Sequence, residues 1–332
     1  MRYTVIDVAR EAGVSVATVD RVLNNRAGVR ERTRLLVAES ARRLGYLAAS
    51  AEPAGVRLDF ALPAGGNPFI LGLRDQLEAL ARPGLEVRVA AIEGFNPDTL
   101  AATLLDYRGR SDGVGVVALD HPAVREAIRA LSASGVPVAT LASDILYCPR
   151  VAYIGVDNRA AGRLAGYLMR RFLGGDRPAE VALFAGSLSY RGHEEREMGF
   201  RHLIAEEAPN LRIVDLREMK DDAERAYVEA GLALDAHPRL AGVYNIGGGT
   251  SGIARALKER GREREVAFIA HDITAENRLL LLDATLDAVI DQNARVEARE
   301  AVAVLENAAR GLAVAPHPLR VHAIFKENIP ES

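Results

Sequence analysis

From about Val56 onward, short apolar segments alternate with longer amphipathic segments, and this alternation constrains the fold more than any other feature of the sequence. The apolar segments have the length of β-strands, and the segments between them repeat apolar residues with helical spacing. Pro97 and Pro122 stand where two of these helices should begin, a position that proline favours. Strands joined by helices form parallel sheets covered on both faces, so the pattern predicts two doubly wound α/β lobes.

The predicted strands are the segments VRLDFAL, LEVRVAAI, GVGVVAL, VPVATL, VAYIGV, EVALFAG, AGVYNI, EVAFIAH and LDAVI. The predicted helices are 68–82, 97–107, 122–133, 158–173, 193–207, 221–236, 250–260 and 293–310.

The first residues of the chain follow a different, purely helical pattern. Thr4 precedes a helical repeat and has Asp7 three residues later, which is typical of a helix start. Gly13 supplies a turn, Ser15 can begin a second helix, and a third amphipathic segment runs from Glu31 to Leu44. Three short helices with a glycine turn between the first two predict a helix-turn-helix module.

Charge is distributed unevenly along the chain. Residues 1–49 hold nine Arg and five acidic residues, a net charge of +4, whereas the whole chain carries −3 and the remainder therefore −7. A basic segment ahead of an acidic body predicts a module that binds a polyanion, attached to a part with another task.

The second helix of such a module fits the major groove of DNA. There Val16 and Ala17 can contact thymine methyl groups, and Arg21 can bond a guanine edge through two nitrogens. The predicted phosphate contacts are Thr4, Ser15, Thr18, Asn24 and Arg30. The alternative is a small helical cap in which Arg21 is merely a solvated charge.

The segment TVIDVAREAGVSVATVDRVLNN, followed by VRERTRLLVAESARRLGY, resembles the DNA-binding headpiece of the lactose-repressor (LacI/GalR) family. The resemblance implies a homodimeric repressor that reads double-stranded DNA at a near-palindromic operator, with Val16, Ala17 and Arg21 at base-reading positions. Asp20 departs from the family, which commonly has Ser there. An acid beside the groove would repel phosphate or accept from a cytosine amino group, so we expect an unusual operator preference.

The linker between the two parts also departs from that family. The resemblance implies a hinge helix with an intercalating Leu, but no Leu follows Leu47 before the first strand, and Pro53 and Gly55 interrupt the segment. A hinge helix and a flexible linker both remain open.

Polar residues cluster where the predicted strands end, which is where ligands bind in such sheets. Acids, amides and an Arg, together with aromatic rings, suit the hydroxyls and apolar faces of a sugar. The candidates from the residue pattern are Asn67, Asp120, His121, Asp144, Asn245, Asp272 and Gln292, with His193 and Arg196 at a helix start. Each of them could instead be a helix cap.

The body resembles the periplasmic-binding-protein fold, in its ribose-binding-like form. The resemblance implies that Asn67 and Phe69 form a sugar-binding Asn-Pro-Phe motif, and that Arg196 clamps the ring and anomeric oxygens. It also implies that Asp144 follows the fourth strand, with Asp272 and Gln292 on the opposite lobe. Ile145 stands where ribose binders have a second Arg, which argues against ribose itself.

These expectations define a domain organisation. It comprises a headpiece at 1–47, a linker at 48–56, one lobe at 57–157 and 293–316, and a second lobe at 158–292 and 317–332. Because no heptad repeat follows the last lobe, we expect a dimer rather than a tetramer.

Two other classes of protein fit the sequence less well. A sugar-processing α/β enzyme would need chemistry that is missing, because GGGTSGIARALK lacks the Gly-Lys-Ser/Thr of a phosphate loop and the seven His show no metal spacing. A sugar-transport binding protein would need a signal peptide and no headpiece. We therefore expect a cytoplasmic regulator that binds a small sugar or polyol, with no catalytic residues, no cofactor, no metal and no membrane segment.

Overall fold

The structure is a computed structural model, and the residues it describes are 3–24, 26, 28–44, 46, 55–93, 95–174 and 177–331. The chain divides into two compact units, Met1–Gly55 and Val56–Ser332. Most of the predicted linker, including all of 48–54, lies outside the described residues, so the hinge helix stays a prediction.

The headpiece consists of three helices: α1 (Val5–Glu11), α2 (Val16–Leu23) and α3 (Glu31–Arg43). Gly13 has φ +64°, so the turn between α1 and α2 uses the left-handed backbone that glycine adopts most readily. The Ser15 hydroxyl accepts from the Thr18 N–H at 3.2 Å and so begins α2. Val8, Val19 and Val37, one from each helix, are fully buried together and hold the three helices in one small core.

The second unit alternates strands and helices along its whole length. Its strands are β1 (Val56–Pro63), β2 (Leu85–Ile92), β3 (Gly113–Val116), β4 (Val138–Leu141), β5 (Ala152–Ile154), β6 (Ala179–Ala185), β7 (Leu211–Glu218), β8 (Leu240–Asn245), β9 (Ala267–His271), β10 (Ala288–Asp291) and β11 (His322–Ile324). Its helices are α4 (Pro68–Glu78), α5 (Pro97–Asp106), α6 (Pro122–Ala133), α7 (Asn158–Leu173), α8 (Arg191–Glu207), α9 (Ala223–Ala236), α10 (Thr250–Glu259), α11 (Ala275–Leu282) and α12 (Ala294–Ala309).

The strands form two sheets, which define two lobes. In lobe 1 the strand order is β2-β1-β3-β4-β5, and every pair is parallel. In lobe 2 the order is β11-β10-β9-β8-β6-β7, and only the β10–β11 pair is antiparallel. An all-α headpiece ahead of two doubly wound lobes is the fold class that the sequence predicts, and it is confirmed.

The chain passes between the lobes three times. It leaves lobe 1 after β5 to form α7, which packs on the sheet of lobe 2. After β10 it returns as α12, whose Ala298, Ala301 and Leu305 are fully buried in the core of lobe 1. It then crosses back as β11. Each lobe is therefore built from segments that are distant in sequence.

Sequence patterns missed two strands and one helix. β7 lies at an edge of its sheet, and most of its side chains are half-exposed, so its mixed polar and apolar residues do not mark it as a buried strand. β11 is only three residues long, and α11 is a helix of eight residues. None of the helices in the described segments is long and apolar enough to cross a bilayer.

Candidate functional site

The second headpiece helix presents a row of side chains to solvent. Val16, Ala17, Asp20 and Arg21 are exposed on α2, whereas Val19 turns into the headpiece core. Val16 keeps 46% of its surface exposed, so its apolar side chain is accessible from solvent. The surface thus combines an apolar contact point with one guanidinium, the two features needed to read thymine and guanine edges.

Asp20 is held in place by its neighbours within the headpiece. Asn24 donates to the Asp20 carboxylate at 2.8 Å, and Arg26 lies 3.4 Å from its other oxygen. The Asp20 charge is therefore partly neutralised before any DNA arrives. Among the predicted phosphate contacts, Arg30 is exposed. The other four make local bonds: Thr4 with Asp7, Ser15 with Thr18, and Asn24 with Asp20.

A cleft between the two lobes contains two adjoining cavities, at the carboxyl ends of the strands. We call them the inner cavity, with a volume of about 50 Å³, and the outer cavity, with a volume of about 300 Å³. The residues that line both are Asn67, Phe69, Asp221, Gly247 and Asp272. The position agrees with the rule that parallel α/β sheets bind ligands beyond their strand ends.

Six of the predicted ligand residues line the inner cavity. They come from the start of α4, the first turns of α8, and the ends of β9 and β10: Asn67, Phe69, His193, Arg196, Asp272 and Gln292. The fold thus brings together residues that lie more than two hundred positions apart in the chain.

Arg196 is the buried cation of the inner cavity, with 4% of its surface exposed. Its Nε donates to the Asn158 side-chain oxygen at 2.7 Å, and its Nη1 donates to the Ile246 carbonyl at 3.0 Å. Asn158 in turn donates to the Ala142 carbonyl at 3.1 Å. These bonds fix the guanidinium plane and connect lobe 2 to the end of β4 in lobe 1.

Two acceptors in the inner cavity have no protein donor. Among the described residues, nothing bonds to Oδ1 of Asp272 or to Oε1 of Gln292, although both atoms are buried. Asp272 also has φ +65°, a backbone strain of the kind that accumulates at functional sites. Because leaving a buried acceptor without a donor destabilises a protein, the two atoms indicate a ligand that supplies hydrogens.

Burial shifts the ionisation of several groups around the cleft. It raises the pKa of Asp272 to about 7, although Arg196 opposes the shift. Burial and then the Asp272 charge raise the pKa of Glu297, in the first turn of α12, to about 8. Burial also lowers the pKa values of His193 and His271, so both imidazoles are neutral at pH 7.

Four predicted ligand residues are placed elsewhere. Asp120 pairs with Arg125, and His121 accepts from the Ala123 N–H at 3.3 Å as the cap of α6. The Asp144 carboxylate accepts from Thr140 at 2.7 Å and from Arg150 at 2.5 Å, and Asp144 lines neither the inner nor the outer cavity.

Asn245 is the fourth of these residues. It is fully buried, and its amide donates to the Gly248 carbonyl and the Thr250 hydroxyl, both at 3.0 Å. Asn245 therefore shapes the turn between β8 and α10. A ligand role for these four residues has no support from their placement and stays a sequence prediction.

The residue patterns missed an acid at the centre of the cleft. Asp221 follows β7, has φ +55°, and accepts from Gly248 N–H at 2.7 Å and from Asn67 Nδ2 at 3.0 Å. A side chain on Gly186 or Gly247 would collide with its carboxylate. No motif marked Asp221, because the strand before it was not predicted.

The lobes contact one another directly across the cleft. Asn67 of lobe 1 bonds Asp221 of lobe 2, and the Gly192 N–H of α8 donates to the Ser143 hydroxyl at 3.1 Å. Ala142 and Ser143, directly after β4, line the inner cavity, where the resemblance had implied Asp144. Hydrogen bonds across the cleft therefore join the two lobes in this structure.

Comparison with known proteins identifies the class of the body. Residues 58–313 match the family described as a periplasmic binding protein domain. Among solved structures, GanP, a glucose-galactose binding protein from Geobacillus stearothermophilus, has a TM-score of 0.76 at 23% identity, covering 83% of this chain and 99% of that one. A solute binding protein from Burkholderia graminis C4D1M, in complex with D-arabinose, has a TM-score of 0.77 at 23% identity, covering 82% and 96%. These likenesses establish the fold of the body.

The headpiece identifies the particular family. Residues 4–48 match the bacterial regulatory proteins of the lacI family. The transcriptional regulator DegA of Bacillus subtilis (strain 168) is 24% identical over 243 residues, covering 71% of this chain and 70% of DegA. Catabolite control protein A of Priestia megaterium is 30% identical over 166 residues, about half of each chain. The headpiece thus belongs to the lacI family and the body to the periplasmic binding protein domain family, and the chain is a DNA-binding transcriptional regulator with a periplasmic-binding-protein-like sensor.

Proposed function

We propose that this regulator is a cytoplasmic repressor whose affinity for its operator is controlled by a small sugar or polyol bound in the cleft. The observation that carries the proposal is the inner cavity, where the fixed Arg196 guanidinium faces two buried acceptors without donors, Asp272 Oδ1 and Gln292 Oε1. A polyhydroxylated ligand supplies hydrogens to both acceptors and an oxygen to the guanidinium.

Ligand binding would couple to DNA binding through the lobes. The bonds from Asn67 to Asp221 and from Gly192 to Ser143 join the two lobes, and the ligand residues come from both lobes. A ligand held by both lobes binds the closed state more tightly than the open state. The difference between its two binding free energies limits how far it can change the affinity for the operator.

The protein would act on DNA as a homodimer. Val228 and Leu232, one turn apart on α9, are 54% and 52% exposed, and Leu279 and Leu282 are exposed on α11. Both helices cover the same face of the lobe 2 sheet. Paired exposed apolar side chains of this kind are typical of a protein interface and support a twofold partner.

The recognition surface of each headpiece would read one half-site. In this proposal Val16, Ala17 and Arg21 contact bases, while Asp20 accepts from a cytosine amino group or excludes other bases. Thr4, Ser15, Thr18, Asn24 and Arg30 would contact phosphates. No cofactor, metal or catalytic residue enters this function.

Selection of bound sequences from random duplex DNA tests the proposal. The full-length protein, first without sugar and then with a mixture of sugars, should enrich a near-palindrome of two half-sites. Arg21→Ala should weaken specific binding by ~1–3 kcal/mol and relax the preference at one base of each half-site. Enrichment of a single unpaired site, or unchanged base preference in the variant, would contradict the dimer or the role of Arg21 respectively.

A further inference from the structure

The charge of the outer cavity bears on which sugar can enter. Its lining contains five carboxylates and one amine: Asp221, Asp222, Glu224, Asp272, Glu276 and Lys220. His271 also lines it, but burial keeps that imidazole neutral at pH 7. A ligand in the cleft therefore meets mostly negative charge.

Some of that charge is already compensated. Arg255 pairs with both oxygens of Glu224, at 2.8 and 2.9 Å. Asp222 accepts from the Arg225 N–H at the start of α9 and keeps its charge. Asp221, Asp222 and Glu276 remain, with Asp272 partly ionised at pH 7 because its pKa is about 7, against Lys220 and the start of α10. That helix begins at Gly249 without a side-chain cap, and its N-terminus supplies roughly half a positive charge. The net charge of the outer cavity therefore stays negative.

The unsatisfied atoms of the inner cavity point in the same direction. Gln292 is 3% exposed, lines the cavity, and has an amide oxygen without a donor, as does the Oδ1 atom of Asp272. A hydroxyl or an ammonium group can donate to these oxygens. A phosphate group offers mainly acceptor oxygens at neutral pH, so in place of a hydroxyl it would add repulsion and could not itself donate to these oxygens.

We infer that the effector is an unphosphorylated sugar, that the cleft discriminates against phosphate esters, and that an amino group in place of a hydroxyl is accepted at least as well as the hydroxyl. This inference rests on the proposed sugar-sensing function and narrows its ligand class. The acidic outer cavity acts as the filter, and the two inner acceptors select for donors.

Matched trios of ligands test this inference on the full-length protein. Each trio contains a sugar, its 2-amino derivative and its 6-phosphate, for glucose, galactose and mannose, with dissociation constants from calorimetry. In any trio that binds, the phosphate ester should bind at least about tenfold more weakly than the parent sugar, and the amino sugar no more weakly. A phosphate ester that binds as tightly as its parent would overturn the inference and leave sugar sensing intact. If no trio binds and the sugar mixture of the operator selection also leaves DNA binding unchanged, both the inference and the proposed sugar sensing are overturned.

A charge reversal at Glu276 tests whether the outer cavity is the part of the cleft that discriminates against phosphate esters. Glu276, exposed in the first turn of α11, lines the outer cavity, so Glu276→Lys should narrow the gap between phosphate ester and parent sugar by about fivefold, and added salt should reduce this gain. Glu78→Lys is the matched control, because Glu78 is exposed at the far end of α4, about 15 Å along that helix from the cleft. Equal effects of the two variants would show that net charge, and not the outer cavity, sets the preference.

Discussion

At the scale of single residues, Asn158 is the first residue of a helix and also a hydrogen-bond partner of Arg196, and the sequence alone does not show which of the two matters for the ligand. It begins α7, where the chain leaves lobe 1, and its side chain accepts from Arg196 while donating to the Ala142 carbonyl and the Tyr153 hydroxyl. The helix cap itself is the neighbouring Asp157, which accepts from the Ala160 N–H at 2.9 Å. Asn158 is therefore a positioning residue for Arg196, while Asp157 is a structural cap.

Asn158→Ala should separate these roles. Loss of the acceptor frees the Arg196 guanidinium to move, so we expect an effector affinity lower by ~1–2 kcal/mol and operator affinity unchanged. The measurement is the effector concentration that gives half-maximal change in operator binding. Asp157→Ala is the control, since it should cost about 1 kcal/mol of stability while leaving that concentration unchanged. The same loss of effector affinity in both variants would assign Asn158 to helix stability.

Glu297 is a second residue whose effect can be predicted, because its ionisation should change the stability of the protein with pH. It is fully buried, and neither of its carboxylate oxygens has a hydrogen-bond partner within the described segments. Its pKa is raised from 4.5 to about 8 in the folded protein, so folding favours the protonated form. The stability that this carboxyl contributes is greatest below pH 4.5 and is lost as the pH rises towards 8.

Glu297→Gln should therefore stabilise the protein at high pH. A neutral amide of the same shape avoids burying a charge, so the free energy of unfolding at pH 8.5 should rise by on the order of 2–4 kcal/mol, with little change at pH 4.5. Urea denaturation across this pH range measures the effect. A constant difference between variant and wild type at every pH would show that the ionisation of Glu297 is not involved.

At the scale of elements, the helix pair α7 and α8 positions the ligand residues of lobe 2. A side chain on Gly162 of α7 would collide with the Arg196 carbonyl of α8, and one on Gly199 of α8 would collide with the Arg159 carbonyl of α7. Two glycines on facing helices therefore allow the backbones to approach closely. Because α8 carries His193 and Arg196, this spacing also sets where these two side chains stand in the lining of the inner cavity.

Gly162→Ala should push the two helices apart. We expect a loss of ~1–3 kcal/mol in stability from overpacking, and weaker effector binding because Arg196 moves with α8. Thermal unfolding and calorimetry measure the two effects. Gly72→Ala on α4 is the matched control, since an added Cβ there meets nothing within 4 Å and should stabilise the helix by up to ~1 kcal/mol. Normal effector binding in Gly162→Ala would contradict the close-packing argument.

Elements also explain what the sequence could and could not predict. Buried strands and long amphipathic helices produce periodic patterns, so the headpiece, most strands of both sheets and the strand-end positions of Asp272 and Gln292 followed from them. Arg196 was marked by a motif at a helix start. The half-exposed edge strand β7 has no such pattern, so Asp221, which follows it in the sequence, was not recognised as a cleft residue. Asp144 shows a second limit: the motif suggested a ligand, but a sequence does not show that Arg150 bonds the same carboxylate.

At the scale of the whole molecule, the proposed dimer depends on the exposed side chains of α9 and α11. Leu232→Glu should raise the dimer dissociation constant at least tenfold, because the interface would have to bury an unpaired charge. Analytical ultracentrifugation measures it, and binding to a palindromic operator should weaken in parallel. Phe172→Glu is the control, since α7 covers the opposite face of the lobe 2 sheet from α9. A Leu232→Glu variant that stays dimeric would exclude α9 from the interface.

The return of α12 to lobe 1 has a consequence for synthesis on the ribosome. The headpiece helices and the first five strands emerge early, but lobe 1 lacks Ala298, Ala301 and Leu305 from its core until α12 has been translated. A nascent chain that has reached Gln292 thus carries a full set of recognition residues and an unfinished sensor. A chain that terminated between the headpiece and α12 would keep the residues that read DNA and would lack control by the ligand.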